Sequence, residues 1–262
     1  MTTSMNTINS IVFSGGGMKG ITFLGVIKKL EEQKKLEKIR YYYGTSIGAL
    51  FCMCISIGFT FQELYSFFET NIKELTPSYS VTNLISFFGA DNGLKLQILI
   101  SRLLNFKAIS IKTTFLDLYS KFEKELNVFA TDLKFHNLIQ FNYLLTPESL
   151  VLDAIKSSMS LPIVFKPVLN RYIDGALLCN FPIKFSENSK DTFCFNISSD
   201  INEMETLFGY ISNIFSCVVN FQNNSDNCNR SKFLLHVNLN PLNFNISQET
   251  IQETINIGYK IL

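Results

Sequence analysis

The stretch IRYYYGTSIG, residues 39–48, contains the end of a predicted strand, a glycine-rich turn and the start of a predicted helix. Four of its first five residues, all except Arg40, are apolar or aromatic, which is typical of a short buried strand. From residue 47 to about residue 57 the chain is apolar on every side of a helix, which predicts a buried helix. GTSIG therefore lies in a turn between a strand and a helix. In this context G-x-S-x-G is typical of a nucleophile, because the sharp turn exposes the Ser46 hydroxyl at a helix N-terminus.

A second glycine-rich turn comes earlier, in FSGGGMKG, residues 13–20. It follows a short apolar run that predicts the first strand, and it precedes an amphipathic pattern that predicts a helix. The spacing G-x-G-x-x-G also fits a dinucleotide-binding turn, which requires an acidic residue at the end of the second strand. Here Ser46 follows that strand, and Glu37 precedes it. We therefore expect the glycine amides to stabilise an oxyanion beside Ser46, and a nicotinamide enzyme remains an alternative that nucleotide titration would test.

The rest of the chain alternates predicted strands with predicted helices. Local signals include a capping box at Thr60 and Glu63, and a break in the pattern over residues 77–93. The other predicted elements are a helix over 94–106, a hairpin over 126–145, a helix after Thr146 and Pro147, a strand from residue 171 that leads into a tight turn at Asp174-Gly175, strands over 192–198 and 233–239, a helix over 203–221, and a final helix capped by Ser247. This alternation predicts one α/β domain with a layered arrangement and a mainly parallel sheet. Residues 60–125 are expected to form a helical cap.

A serine nucleophile needs a base, and the sequence offers two histidines and one well-placed carboxylate. The order Ser46, Asp174, His236 would suit an α/β-hydrolase triad. Two strands before the serine are too few for that fold, however, and His236 and His136 both lie in strand-like segments. Asp174 ends an apolar strand at an Asp-Gly turn, where it would act as the base if the site were partly desolvated. A triad that uses His236 stays open as an alternative.

The composition of the chain argues against some classes of ligand and binding partner. The formal net charge of +1 gives no reason to expect a nucleic-acid partner, and six cysteines without a CxxC pair argue against a zinc site. The thiols, Cys228 among them, are expected to be mostly buried and reduced. The longest apolar stretch, residues 47–59, is too short to span a membrane, and the first ten residues do not resemble a signal peptide. We expect an intracellular, soluble, cytoplasmic protein that touches membranes transiently from the side.

Three motifs in this order resemble the patatin-like phospholipase family: GGGMKG at residues 15–20, GTSIG at residues 44–48 and DGA at residues 174–176. Supporting stretches are ATDL at 130–133, AIKSSMSLPIVFKPV at 154–168 and NFPI at 180–183. The resemblance extends from about residue 11 to about residue 185. It implies a three-layer α/β/α sandwich and a phospholipid or other lipid ester as substrate.

The resemblance also implies a set of site residues. Ser46 would be the nucleophile and Asp174 the base, in a pair that works without histidine, metal or cofactor. Gly15, Gly16 and Gly17 would supply oxyanion donors, with Lys19 at the family's usual basic position in the glycine loop. A module that binds or senses acyl lipids without turnover remains the other alternative.

Overall fold

In this computed structural model, structure is described for residues 8–186, 192–198, 207–225 and 232–262. The strands are β1 (Ser10–Phe13), β2 (Tyr41–Thr45), β3 (Gly89–Asp91), β4 (Glu125–Asp132), β5 (Asn137–Phe141), β6 (Ile163–Phe165), β7 (Tyr172–Asp174), β8 (Thr192–Ser198) and β9 (Lys232–His236). The α-helices are α1 (Thr22–Glu32), α2 (Ile47–Ser56), α3 (Phe61–Asn71), α4 (Val81–Phe87), α5 (Leu94–Phe106), α6 (Phe115–Phe122), α7 (Val151–Ser158), α8 (Ala176–Cys179), α9 (Leu207–Ser225) and α10 (Gln248–Lys260).

The central sheet has the strand order β5-β4-β2-β1-β8-β9. The neighbours from β4 to β9 run parallel, and β5 forms an antiparallel hairpin with β4. Helices flank this sheet, which gives the three-layer α/β/α sandwich. The predicted fold class is therefore confirmed.

Strand β7 has an unusual place in this sheet. It pairs antiparallel with β4 at residues 130–132, and β5 already occupies the other edge of that part of β4. β7 must therefore lie on the same edge as β2, which pairs with β4 only as far as Phe129. As a result, β2 and β7 approach each other end to end along β4, with Thr45 opposite Phe129 and Asp174 opposite Ala130. This junction positions the site.

Several local predictions are confirmed. The apolar helix α2 is buried along its whole length. Thr60 and Glu63 form the predicted capping box at the start of α3, and the Ser247 side chain caps α10. The predicted hairpin is β4–β5. These elements depend on short-range patterns, which the sequence contains in full.

Other predictions are wrong at their boundaries. The helix expected after Thr146 begins instead at Val151, because the Thr146 side chain hydrogen-bonds back to the backbone of Asn142 in a separate turn. The amphipathic pattern over residues 18–38 predicts one long helix. The structure instead has a 3-10 turn at Gly17–Ile21, then α1, and a second 3-10 turn at Leu36–Lys38. Helix α4 and strand β3 occupy the expected break over residues 77–93. The start of the helix predicted at residue 203 lies outside the described residues.

The segment over residues 60–125 packs on the same core as the sheet. Leu64, Phe68 and Leu103 belong to one cluster of buried apolar side chains with Phe13 and Phe51. Aromatic rings are prominent there: the rings of Phe13 and Phe23 stack with their centroids 4.2 Å apart. The description of this segment as a cap over the site stays a prediction.

Candidate active site

Ser46 lies in the turn between β2 and α2 with an unusual backbone conformation. Its φ of 54° and ψ of −127° are strained for a residue with a side chain. The glycines on either side are required by close packing: a Cβ on Gly48 would lie 2.5 Å from the carbonyl oxygen of Phe13, and one on Gly44 would lie 2.6 Å from the backbone of Ala49. The tight junction between β2 and α2 therefore requires glycine on both sides of Ser46 and a strained backbone at Ser46 itself.

A buried hydroxyl holds this strained turn in place. The Ser46 N–H donates to Ser158 Oγ over 2.8 Å, and Ser158 Oγ in turn donates to the carbonyl oxygen of Phe129 over 2.6 Å. Ser158, at the end of α7, is fully buried. Because a buried N–H without a partner is costly, this relay stabilises the conformation that exposes the Ser46 side chain to the cavity.

The Ser46 hydroxyl and the Asp174 carboxylate are in direct contact. Ser46 Oγ donates to Asp174 Oδ2 over 2.7 Å, and the Ala176 N–H donates to Asp174 Oδ1 over 2.8 Å. Asp174 is only 3% exposed, and burial raises its pKa from the ordinary 3.8 to about 7, against the opposing effect of these two hydrogen bonds. The pair thus joins a hydroxyl to a carboxylate whose proton affinity is far above that of an exposed aspartate.

The end-to-end meeting of β2 and β7 explains why two residues so distant in sequence touch. The Asp174 N–H donates to the carbonyl oxygen of Ser160 over 2.8 Å, and Thr131 Oγ1 donates to the Asp174 carbonyl over 3.0 Å. Gly175 follows, where a Cβ would collide with the carbonyl oxygen of Phe129. The backbone of Asp174 is therefore fixed on both sides, and its carboxylate faces Ser46.

The glycine loop lies beside Ser46, and its amides are not equivalent. A Cβ on Gly15 would be 3.3 Å from the Ser46 Cβ, which places the loop next to the hydroxyl. The Gly15 N–H already donates to the carbonyl oxygen of Asn180 over 3.0 Å, and the Lys19 N–H donates to the carbonyl oxygen of Gly16 over 3.2 Å. Within the part of the chain that the structure describes, the N–H groups of Gly16 and Gly17 donate to no protein acceptor.

The backbone amides of Gly15 and Lys19 are thus occupied by hydrogen bonds within the protein, and the oxyanion role expected for the glycine loop stays a prediction. The Lys19 side chain is buried, lines the same cavity, and has its pKa lowered to about 8 by that burial. It therefore adds an ionisable group close to the pair.

A cavity of about 450 Å³ opens onto Ser46 and Asp174. Most of its wall is apolar, including Leu50, Leu96, Phe165, Val219 and Phe244. A mostly apolar pocket with a few polar groups at one end suits a ligand with a long hydrocarbon part.

Neither histidine lines this cavity. His136 is exposed in the turn between β4 and β5, and His236 is exposed at the end of β9 with its Nδ1 3.3 Å from Ser198 Oγ. The contacts of Asp174 are with Ser46 and Ala176, so the geometry gives no support to a triad through His236.

Four cysteines, at positions 52, 54, 179 and 194, are buried, while Cys217 on α9 is exposed and Cys228 lies outside the described residues. In the ranges that the structure covers, no cluster of three or more His, Cys, Asp or Glu side chains is arranged to hold a metal ion. Among the same residues, no helix has the length and apolar character needed to cross a bilayer.

Fold and site together define a class: α/β sandwich proteins that present a serine in a strand–helix turn against a buried carboxylate. Comparison with known proteins gives the family. A model of the patatin-like phospholipase family matches residues 11–185, and the chain belongs to that family.

Curated relatives come from viruses and a bacterium. "Probable lipid hydrolase 463L" of Invertebrate iridescent virus 6 is 32% identical over 184 residues, which cover 66% of this chain and 61% of that protein. "Uncharacterized protein R571" of Acanthamoeba polyphaga mimivirus is 27% identical over 228 residues, which cover 82% of this chain and 75% of that one. The chain therefore spans only about three fifths of the length of the lipid hydrolase relative.

Solved structures share the fold at low sequence identity. VipD from Legionella pneumophila superposes with a TM-score of 0.62 at 15% identity, over 97% of this chain and 65% of VipD. The type III effector protein ExoU of Pseudomonas aeruginosa gives a TM-score of 0.54 at 17% identity, over 97% of this chain and 52% of ExoU. At these identities the likeness concerns the fold alone.

Sequence reasoning missed residues that act through the backbone of the site. Ser158 and Asn180 both lie in stretches that resemble the family, 154–168 and 180–183, yet neither was given a role. A hydroxyl at the end of a predicted helix was the only signal for Ser158. For Asn180 the contact is made by the main-chain carbonyl, which no side-chain pattern reports.

Proposed function

We propose that this chain hydrolyses acyl esters of lipids, in the manner of a phospholipase A, with Ser46 as nucleophile and Asp174 as general base. The observation that carries the proposal is the 2.7 Å hydrogen bond from Ser46 Oγ to the buried Asp174 carboxylate, at the end of an apolar cavity. Membership of the patatin-like phospholipase family and the name of the viral relative support a lipid substrate.

The reaction begins with ionised Asp174, which accepts the Ser46 proton as Ser46 Oγ attacks the ester carbonyl carbon. The resulting oxyanion accepts hydrogen bonds from the amides of Gly16 and Gly17, which act where charge develops. The tetrahedral intermediate then collapses, the alcohol part of the lipid takes the proton from Asp174 and leaves, and the acyl group stays on Ser46.

Deacylation repeats these steps with water. Asp174 removes a proton from a water molecule as its oxygen attacks the acyl-enzyme, and the same amides stabilise the second oxyanion. Collapse releases the fatty acid and returns the proton to Ser46. A carboxylate with a pKa of about 7 is well suited to both directions of transfer, since a general base works best when its pKa lies near the operating pH.

The test compares Ser46→Ala with the native protein on a panel of phospholipids, neutral lipids and acyl thioesters. We expect turnover to fall by roughly a thousandfold or more, because the covalent route is lost. Ser56→Ala is the matched control: Ser56 is a buried serine on the same helix, its hydroxyl donates to the carbonyl oxygen of Met53, and its loss should leave turnover intact.

A fluorophosphonate probe separates the alternatives. Under the proposal it labels Ser46 in the native protein and in His236→Ala, and both hydrolyse lipid esters. A protein that never reacts with the probe and never turns over lipid would be an acyl-binding module, and a dead His236→Ala variant would favour the triad. Full activity in Ser46→Ala would overturn the mechanism.

A further inference from the structure

The side chain of Gln222 connects helix α9 to the segment that follows Asp174. Its Nε2 donates to the carbonyl oxygen of Leu177 over 2.8 Å and to that of Ala176 over 3.3 Å. Its Oε1 accepts from the Asn180 N–H over 3.0 Å. Both ends of the amide are thus engaged by the backbone of α8 and of the residue that follows it.

The backbone segment that Gln222 binds also makes hydrogen bonds to Asp174 and to the glycine loop. The N–H of Ala176 donates to Asp174 Oδ1, and the carbonyl oxygen of Asn180 accepts from the Gly15 N–H. Helix α8 has four residues, so most of its carbonyl and amide groups find no partner within the helix itself. A side chain that supplies a donor and an acceptor therefore fixes the short segment between Asp174 and the glycine loop.

The same helix forms a wall of the cavity. Phe215 and Val219 of α9 line it, together with Asn213 and Asn220. Gln222 lies beyond residues 11–185 that the family model matches. The hydrogen bonds of Gln222 therefore connect a helix outside the matched region to the segment inside it that lies between Asp174 and the glycine loop.

We infer that Gln222 is a positioning residue for the hydrolysis: its amide holds the turn over residues 176–180 so that the Ala176 N–H stays on Asp174 and the Gly15 N–H stays on Asn180. The inference rests on the proposed roles of Ser46 and Asp174. It predicts that Gln222 acts on turnover without touching the substrate or the reacting atoms.

Gln222→Met removes all three hydrogen bonds at nearly constant shape, and Gln222→Glu keeps the acceptor but loses the donor to Leu177 and Ala176. In each variant we expect kcat to fall by about ten- to hundredfold, because small displacements of reacting groups cost this much, while KM changes little. The rate of fluorophosphonate labelling should fall in parallel. Phe221→Ser is the control, since Phe221 is 77% exposed and next to Gln222 but makes no part of the cavity wall.

The pH dependence of kcat/KM distinguishes positioning from a general loss of stability. The Ala176 N–H lowers the pKa of Asp174, so a displaced turn should move the acid limb, expected near pH 7 in the native protein, to higher pH. Lys19 and Cys217 are the other ionisable groups along the cavity wall and Cys179 lies on α8, and none of them is altered in these variants. Thermal midpoints, measured alongside, identify a variant that fails to fold.

Native kcat and an unmoved acid limb in folded Gln222→Met and Gln222→Glu would overturn the inference while leaving the proposed function intact. Turnover in Ser46→Ala would overturn the proposed function itself. A drop in kcat with the acid limb displaced, present in both Gln222 variants and absent in Phe221→Ser, supports the positioning role.

Discussion

At the scale of single residues, Ser46 and Asp174 each have a conformation or an environment that is unfavourable in an unfolded chain. Ser46 has a positive φ, and Asp174 is a buried carboxylate whose partners are one hydroxyl and one backbone N–H. Such strain persists only where the surrounding structure fixes it. Here Ser158 accepts a hydrogen bond from the Ser46 N–H and Ser160 accepts one from the Asp174 N–H. These bonds stabilise the backbone of both residues in the packed turns around the site.

Burial of Asp174 makes stability depend on pH in a defined direction. Its folded pKa is about 7 and its ordinary value is 3.8, so between these values the folded state binds the proton more tightly than the unfolded state does. Stability contributed by this group therefore falls as the pH rises through that window. We expect Asp174→Asn to unfold at a higher temperature than the native protein at pH 8, with the difference shrinking as the pH approaches 4.

Asp117→Asn provides a control of opposite sign. Asp117 accepts hydrogen bonds from the backbone and side chain of Thr114 in a capping box, which lower its pKa. Its replacement should therefore lower the thermal midpoint at pH 8. Thermal melts from pH 4 to pH 8 measure the midpoints of both variants. An Asp174→Asn protein less stable than the native one at pH 8 would contradict the conclusion that burial of the ionised Asp174 carboxylate destabilises the folded state.

At the scale of elements, helices α1 and α10 pack through two glycines. A Cβ on Gly25 would collide with the carbonyl oxygen of Ile255, and a Cβ on Gly258 would collide with that of Thr22. The contact is reciprocal, backbone against backbone, and it brings the last helix of the chain against the helix that follows the glycine loop. The close approach is possible only because both positions lack a side chain.

Gly258→Ala should therefore lower the free energy of unfolding by about 1–3 kcal/mol, the usual cost of forcing extra volume into a packed contact. An alanine in the middle of a free helix would instead be favourable. Denaturant melts of this variant and of Glu253→Ala, an exposed position on the same helix, separate the two effects. Equal or greater stability of Gly258→Ala would show that the two helices can move apart freely.

At the scale of the whole molecule, the cavity is assembled from distant parts of the chain. Its wall combines Leu96 of α5, Phe165 of β6, Val219 of α9 and Phe244 near the C-terminus. Two of these four lie outside the residues that the family model matches. Part of the pocket wall thus comes from outside the matched region, while Ser46 and Asp174 both lie inside it.

Leu161→Trp tests whether this cavity binds the acyl chain. Leu161 lines the cavity, and a larger side chain there should leave less room for a long hydrocarbon. We expect hydrolysis of long-chain esters to fall about tenfold or more relative to a short-chain ester, the order of discrimination that apolar pockets give. Leu144→Trp, at a residue that is 65% exposed, should keep the native ratio, and an unchanged ratio in Leu161→Trp would place the acyl chain elsewhere.

Features that depend on neighbouring residues in the chain could be predicted from the sequence. The strand–turn–helix around Ser46, the Asp-Gly turn after β7, the capping boxes and the alternation of strands and helices all follow from short-range patterns of size, polarity and backbone freedom. The predicted start of a helix near Thr146 was wrong because a local turn with Asn142 competed for the same side chain.

The contacts between distant groups depend on how the chain folds in three dimensions. Ser46 and Asp174 touch because β2 and β7 share one edge of β4, a pairing between residues 128 positions apart that no local pattern encodes. The Gly15 amide is occupied by Asn180, and Gln222 of α9 holds the turn between them. The strand pairings and the Gly15–Asn180 hydrogen bond join backbone groups, which every residue carries alike, so their partners are set by packing and not by residue type.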